Sequence, residues 1–102
     1  MKHGEVWWSE HPTAGRRPVL ILTRTEAINV LNEILVVPAT RTVRGIPTEV
    51  ELDQDDGMPS ACVLSLDNMT PLPKGLLVQR ITALQPDKLR EVCAALGAAT
   101  RC

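Results

Sequence analysis

The order of apolar and polar residues predicts a succession of short strands in the first half of the chain. Three runs of aliphatic and β-branched residues are bounded by residues typical of turns: residues 4–8 (GEVWW), 17–23 (RPVLILT) and 33–40 (EILVVPAT). Residues 9–14 are expected to form a loop, and Thr25 with Glu26 could open one or two helical turns. Because Pro38 cannot donate a ladder hydrogen bond, the third strand is expected to bend or to lie partly at an edge near Thr40.

The second half continues in the same way and ends in a helix. Residues 49–52 (EVEL) alternate between acidic and apolar residues, as a half-exposed strand should, and the Asp56-Gly57 pair within residues 53–59 indicates a turn. Residues 61–66 and 76–84 are predicted to be further strands, separated by a loop at 67–75. From Pro86 onward, apolar residues recur at helical spacing, and the helix is expected to end near Gly97. Its predicted apolar face contains Leu89, Val92, Cys93 and Leu96.

These elements predict one mainly β domain over residues 1–102. Five or more short strands with a single terminal helix form a small, strongly bent sheet or a partly open barrel, with the helix covering one side. Hydrophobic residues make up 44% and charged residues 23% of the 102-residue chain, as in soluble globular proteins. No apolar run approaches the roughly 20 residues that cross a bilayer, and no secretory signal follows Met1. We therefore predict a cytoplasmic protein that is not bound to a membrane.

Cysteines and acidic residues do not indicate a metal site or a cofactor. Cys62, Cys93 and Cys102 are widely spaced and form no C-x-x-C pair, so reduced thiols are predicted, with Cys62 and Cys93 in the core. The acidic stretch at 53–59 lacks the ligand offsets of an EF-hand, so a solvated hairpin turn is expected there.

Charge is distributed unevenly along a chain of net charge −1. Residues 11–48 contain five arginines against Glu26 and Glu33, whereas residues 49–67 contain six acidic residues and no basic one. A basic patch that approaches a phosphate backbone is therefore possible on a nearly neutral protein.

Two polar strand ends are candidates for phosphate chemistry. Pro18 biases Arg17 toward an extended conformation at the start of one strand, and Thr40 ends another strand before a basic loop with Arg41, Thr42 and Arg44. A guanidinium donates two parallel hydrogen bonds to phosphate, and a threonine hydroxyl can donate a third. Spacing alone favours the other interpretation, a surface arginine and a strand-terminal threonine without a shared role. His11, in the preceding loop, could exchange a proton or lie on the surface without a role.

Several stretches, taken in order, resemble the MazF/PemK family of toxin endoribonucleases. They are GEVWW, GRRPVLILT, VVPATRTVRGIPTEVEL, VLSLDNM and the closing RITAL with its helix, and together they cover nearly the whole chain. The resemblance implies an SH3-like barrel of the CcdB/MazF type, built from short antiparallel strands with a C-terminal helix. It also implies a homodimer, a MazE-like antitoxin and metal-independent, sequence-specific cleavage of single-stranded RNA by 2′-hydroxyl attack.

The same resemblance assigns roles to residues by motif. The arginine before proline, Arg17, and the threonine that ends VVPAT, Thr40, correspond to the family's catalytic pair. Six further residues match or flank positions of the RNA groove: Arg16, Arg41, Thr42, Arg44, Asp67 and Asn68. His11 is a possible contributor from the loop after the first strand, which is shorter here than in many relatives.

Two other functions stay open on the sequence alone. Gyrase-binding toxins of the CcdB type share this fold without cleaving RNA, and a degenerate relative would keep only antitoxin binding. Arg17 together with Thr40 favours the nuclease, because a gyrase binder has no use for this pair.

Overall fold

The computed structural model describes residues 1–101, which form seven strands, two α-helices and three short 3₁₀ turns. The strands are β1 (Glu5–His11), β2 (Gly15–Ile21), β3 (Glu33–Thr40), β4 (Glu49–Leu52), β5 (Cys62–Ser65), β6 (Thr70–Pro73) and β7 (Leu77–Ala83). The helices are α1 (Thr25–Ile28) and α2 (Pro86–Thr100). Cys102, predicted to be a reduced thiol, lies outside the described residues.

The strands form one antiparallel sheet in the order β4-β5-β3-β2-β1-β7, with β6 paired to the first half of β3. This confirms the predicted mainly β fold with a C-terminal helix, although the sheet does not close into a complete barrel. On one side, β3 changes its partner from β6 to β5 around Pro38. On the other side the ladder to β2 ends at Pro38, so Thr40 pairs only with Val63 of β5. The prediction of a partial edge near Thr40 agrees with this arrangement.

Two predicted loops are wrong in part. Residues 9–11 continue β1 and pair with residues 15–17 of β2, which leaves a three-residue turn at 12–14. The predicted loop at 67–75 contains β6, in spite of Pro71 and Pro73. Proline is tolerated there because β6 pairs on one side only, with β3, and an edge strand does not need every N–H group for the ladder.

Buried residues form two clusters, one on each face of the sheet. The larger cluster lies under α2, where Val92 and Ala95 pack against strand residues such as Leu20, Val37 and Leu64. The smaller cluster contains Val19, Ile21, Ile28, Ile34, Val36 and Leu77. None of the helices within residues 1–101 is long and apolar enough to cross a membrane.

Helix α2 differs from its prediction in length and in the residues of its apolar face. It runs through Gly97 and ends at Thr100. Cys93 is exposed, so its predicted place in the core is wrong, because the helix buries Val92 and Ala95 and turns Cys93 toward solvent. Cys62 is half-buried and packs against the larger cluster, as predicted.

Gly97→Ala is expected to raise the free energy of unfolding by about 0.5–1 kcal/mol, because glycine in a helix interior loses more backbone entropy on folding than alanine. A Cβ at this position meets no atom within 4 Å, so no clash offsets the gain. Urea denaturation of the two proteins measures the difference. A loss of stability in Gly97→Ala would show that α2 is not continuous through this residue.

The connection between β4 and β5 brings the two ends of the sheet together. It contains a 3₁₀ turn at Gln54–Asp56, in which the side chains of Asp53 and Asp56 accept hydrogen bonds from backbone N–H groups, as a solvated turn was expected to do. The hydroxyl of Thr82 in β7 donates to the carbonyl of Asp56 (3.2 Å). Lys88 of α2 donates to the carbonyl of Glu51 in β4 (3.1 Å). Side-chain contacts thus link β4 to β7 where no ladder does.

Candidate functional site

The β2–β3 ladder brings the two predicted catalytic residues to the same end of the sheet. Val19 pairs with Pro38 at the end of this ladder, two residues from Arg17 on one strand and two residues from Thr40 on the other. Both Arg17 and Thr40 line the same two cavities at this end of the sheet. A guanidinium and a hydroxyl therefore border the same space.

Three cavities surround Arg17. The first, which we name the Trp8 cavity, has a volume of about 430 Å³ and is bounded by Trp8, Arg16, Pro18, Arg41, Met58 and Cys62 besides Arg17 and Thr40. The second, the Asn68 cavity, has a volume of about 120 Å³ and is bounded by Thr42, Arg44, Glu49, Ser65 and Asn68 besides the same pair. The third, the His11 cavity, has a volume of about 340 Å³ and is bounded by Ser9, His11, Thr70 and Leu72 besides Arg17. Arg17 is the side chain common to all three.

The arginines of the site differ in whether they are already engaged. The guanidinium of Arg16 lies 4.8 Å from the centre of the Trp8 ring, donates to Oε1 of Gln79 (3.1 Å) and stands 3.7 Å from Glu10. Within residues 1–101, the side chains of Arg17, Arg41 and Arg44 make no hydrogen bond or ion pair. Three exposed guanidinium groups without a protein partner create a positive field that suits an anion.

The hydroxyl of Thr40 is oriented by the chain that follows it. Its oxygen accepts a hydrogen bond from the backbone N–H of Thr42 (3.2 Å). Because a hydroxyl both accepts and donates, its own hydrogen is left for a ligand. Thr40 is half-buried, so the donor faces the cavities from a fixed strand position.

A buried serine holds the backbone of Arg17. Ser9 is 4% exposed, and its hydroxyl donates to the carbonyl of Arg17 (2.9 Å) across the β1–β2 pair. Ser9 was not among the predicted site residues, because residues 9–14 were expected to form a loop. Ser9 fixes the main chain from which the Arg17 guanidinium projects.

The basic loop after Thr40 is held by Glu49 at the start of β4. The carboxylate of Glu49 accepts hydrogen bonds from the backbone N–H groups of Arg44 (3.0 Å) and Gly45 (2.9 Å). Nearby, the hydroxyl of Thr48 donates to Oδ2 of Asp67 (2.6 Å). The alternating pattern of EVEL predicted Glu49 to be partly exposed but gave no sign of this loop contact.

His11 supports the turn between β1 and β2. Its Nδ1 accepts hydrogen bonds from the backbone N–H groups of Thr13 and Ala14, both at 3.2 Å. Since Nδ1 is an acceptor, the neutral ring carries its proton on Nε2. His11 lines the His11 cavity rather than the two cavities that Arg17 shares with Thr40.

The remaining predicted residues divide between these cavities. Thr42, Arg44 and Asn68 join Arg17 and Thr40 around the Asn68 cavity, and Arg16 and Arg41 border the Trp8 cavity. Asp67 lines none of the three and is bonded to Thr48.

Cys62 is one of the residues that line the Trp8 cavity. Burial raises the pKa of this thiol, and the negative charge of Asp56 adds to the effect. The thiol is therefore protonated and unreactive at neutral pH. Within residues 1–101, no three acidic, histidine or cysteine side chains are grouped as metal ligands.

Comparison with known proteins gives a consistent result. Residues 2–100 match the family model of the PemK-like, MazF-like toxins of type II toxin-antitoxin systems. The chain is 42% identical over 103 residues to the probable endoribonuclease MazF2 of Mycobacterium tuberculosis, with 100% of both chains covered.

Two solved structures share the fold. The Mycobacterium tuberculosis toxin MazF-mt6 superimposes with a TM-score of 0.88 at 33% identity, with 95% of this chain and 96% of the other covered. The MazE-MazF structure from Deinococcus radiodurans superimposes with a TM-score of 0.82 at 27% identity, with 98% and 94% covered.

Proposed function

The chain belongs to the PemK/MazF family of type II toxins, and on this premise we propose that Arg17 and Thr40 form the catalytic pair of its RNA-cleaving site. It is a MazF-type endoribonuclease of a toxin–antitoxin system, rather than a CcdB-like gyrase inhibitor or a degenerate binder of antitoxin. The observation that carries the assignment of the pair is that both residues line the same two cavities with unengaged donors.

The proposed reaction is an internal displacement at phosphorus. The ribose 2′-oxygen loses its proton and bonds to the adjacent phosphorus, while the bond from phosphorus to the 5′-oxygen breaks. The leaving oxygen gains a proton, so the products are a 2′,3′-cyclic phosphate and a 5′-hydroxyl. Negative charge on the non-bridging oxygens rises in the transition state, where the Arg17 guanidinium and the Thr40 hydroxyl donate hydrogen bonds.

Around this pair, the other polar side chains hold the RNA strand. Arg41 and Arg44 contribute positive charge along the strand, and Thr42 borders the same Asn68 cavity as Arg44. The amide of Asn68 reads a base edge, since it can donate and accept at once. We assign Arg16, Asp67 and His11 supporting positions, because each already contacts protein groups.

The partners follow from the family. A related fold from Deinococcus radiodurans is solved as MazE-MazF, and we expect a MazE-like antitoxin to bind this chain and cover the site. We also propose a homodimer, since Val30 and Val78 are 79% and 47% exposed and a partner surface would shield such side chains. Sedimentation of the isolated chain as a monomer at micromolar concentration would contradict the dimer.

The reaction is tested by the chemistry of the cut ends. Purified protein incubated with single-stranded RNA in excess EDTA is expected to cleave at the rate seen without EDTA, because the proposed donors are protein groups. Mass spectrometry of the fragments should find 2′,3′-cyclic phosphates and 5′-hydroxyls. Loss of cleavage in EDTA, or fragments with 5′-phosphates, would exclude this mechanism. Gyrase inhibition without RNA cleavage would restore the CcdB-like alternative.

A further inference from the structure

The Trp8 cavity is larger and more apolar than a phosphate needs. Its apolar lining includes Met58, which is 3% exposed, together with Ala39 and the half-buried Cys62. Trp8 also lines the cavity, and the guanidinium of Arg16 lies over its indole ring. A cavity of about 430 Å³ with a mainly apolar lining that includes an aromatic ring is typical of a site for a ring-shaped ligand.

The polar groups at this cavity are almost all donors. Arg16, Arg17 and Arg41 supply guanidinium groups, and the hydroxyls of Thr40 and Ser60 lie at the rim. No carboxylate of residues 1–101 lines it, whereas Glu49 lines the neighbouring Asn68 cavity. The ligand that fits is therefore rich in hydrogen-bond acceptors.

The cavity is continuous with the proposed catalytic pair. Arg17 and Thr40 stand between it and the Asn68 cavity. A phosphate held by these two residues would project the nucleotide on one side into the Trp8 cavity. An aromatic or guanidinium plane is the usual surface on which an unpaired RNA base stacks.

We propose that the Trp8 cavity binds the base of the nucleotide next to the scissile phosphate, with residues 58–60 as the wall that selects it. The base presents acceptors to the guanidinium groups, as guanine does through O6 and N7 and uracil through its two carbonyl oxygens. Adenine and cytosine are disfavoured because they place an amine donor, N6 or N4, where guanine O6 and uracil O4 place an acceptor. The inference rests on the proposed RNA cleavage at Arg17 and Thr40.

Residues 58–60 are the part of the Trp8 cavity whose shape can vary. The β1–β2 turn at residues 12–14 is tight, held by His11, and does not line the Trp8 cavity in the described chain. Residues 58–60 belong to the connection between β4 and β5, where Pro59 and Ser60 are exposed and outside any strand. A change of side chain at residue 60 therefore alters the cavity without altering the sheet.

The test introduces a large side chain at residue 60, where it would fill the Trp8 cavity. Ser60→Trp places an indole at the Trp8 cavity, and Ala61→Trp is the matched control, because the neighbouring Ala61 is also exposed but does not line this cavity. Both variants and the wild type cleave a random-sequence RNA pool, and the cut ends are sequenced. In Ser60→Trp, the rate of cleavage is expected to fall at least about tenfold. The wild-type preference for guanine or uracil at one position beside the cut is expected to disappear. Ala61→Trp should keep both.

Each outcome separates this inference from the proposed function. Equal rates and equal base preferences in the two tryptophan variants would overturn the base site while Arg17-dependent cleavage persists. A wild-type preference for adenine or cytosine on both sides of the cut would overturn the assignment of the base. Cleavage that is retained in Arg17→Ala would instead overturn the proposed function.

A second measurement does not depend on the folding of a variant. The probe is the most frequently cut sequence from the wild-type pool, with a 2′-deoxynucleotide at the cut so that it binds without reacting. Alkylation at alkaline pH, where the ionised fraction of a thiol increases, is expected to slow at Cys62 when the probe is present. It should be unchanged at Cys93, which is exposed on α2. Equal alkylation of Cys62 with and without the probe would overturn the base site.

Discussion

Arg17→Ala is expected to lower the rate of RNA cleavage at least about 100-fold, because the main donor to the phosphate oxygens is removed where negative charge grows in the transition state. The fold should be retained, since the Arg17 side chain is exposed and makes no hydrogen bond or ion pair within residues 1–101. Single-turnover cleavage of a mapped RNA substrate gives the rate, and thermal unfolding checks the fold.

Three further variants define what Arg17 contributes. Arg17→Lys should recover part of the rate, because an ammonium keeps the charge but not the two parallel hydrogen bonds. Thr40→Ala should lose less than Arg17→Ala, since one neutral donor is removed, and Thr40→Ser should restore it. Arg24→Ala is the control, because Arg24 is exposed and lies outside the three cavities. Wild-type rates in Arg17→Ala would remove this residue from the mechanism.

The strands that the sequence predicted well are those whose pattern is unambiguous. β3 was recognised at its observed bounds because its β-branched run has no helical alternative. β6 was missed because two of its four residues are proline, which only an edge position tolerates, and edge positions depend on the order of strands. On α2, Leu89, Val92 and Leu96 pack against the larger cluster as predicted, whereas Ala95 and Ala99 complete the apolar face in place of Cys93.

The grouping of the site residues could not be predicted from their spacing along the chain. Arg17 and Thr40 line the same cavities because β2 and β3 pair in one particular register, and a shift by one residue would turn one of them away. The resemblance to a family supplied this pairing where the pattern left it undecided. Arg16 is held by Gln79, which is 63 residues away, and no local pattern predicts such a contact.

Gly57→Ala is expected to lower the free energy of unfolding by about 3 kcal/mol, the larger of two stability effects predicted for glycine positions. Gly57 has φ of +94°, a left-handed conformation that costs a residue with a Cβ about 1–2 kcal/mol. An added Cβ would also collide with the Thr82 hydroxyl and lie 2.8 Å from its Cβ. The β4–β5 connection would have to move away from β7, which breaks the Thr82 to Asp56 hydrogen bond.

Two comparisons separate backbone strain from the collision. Gly75→Ala is the control, because Gly75 is exposed, has no positive φ and has open space around its Cβ position. In a Thr82→Ala background the collision with the hydroxyl is removed and the contact with the Cβ remains, so Gly57→Ala should then cost less than it does in the wild type. Equal losses in both backgrounds would show that the hydroxyl collision contributes nothing. Because the same connection carries residues 58–60, Gly57→Ala should also weaken base preference in the RNA pool, which Gly75→Ala should leave intact.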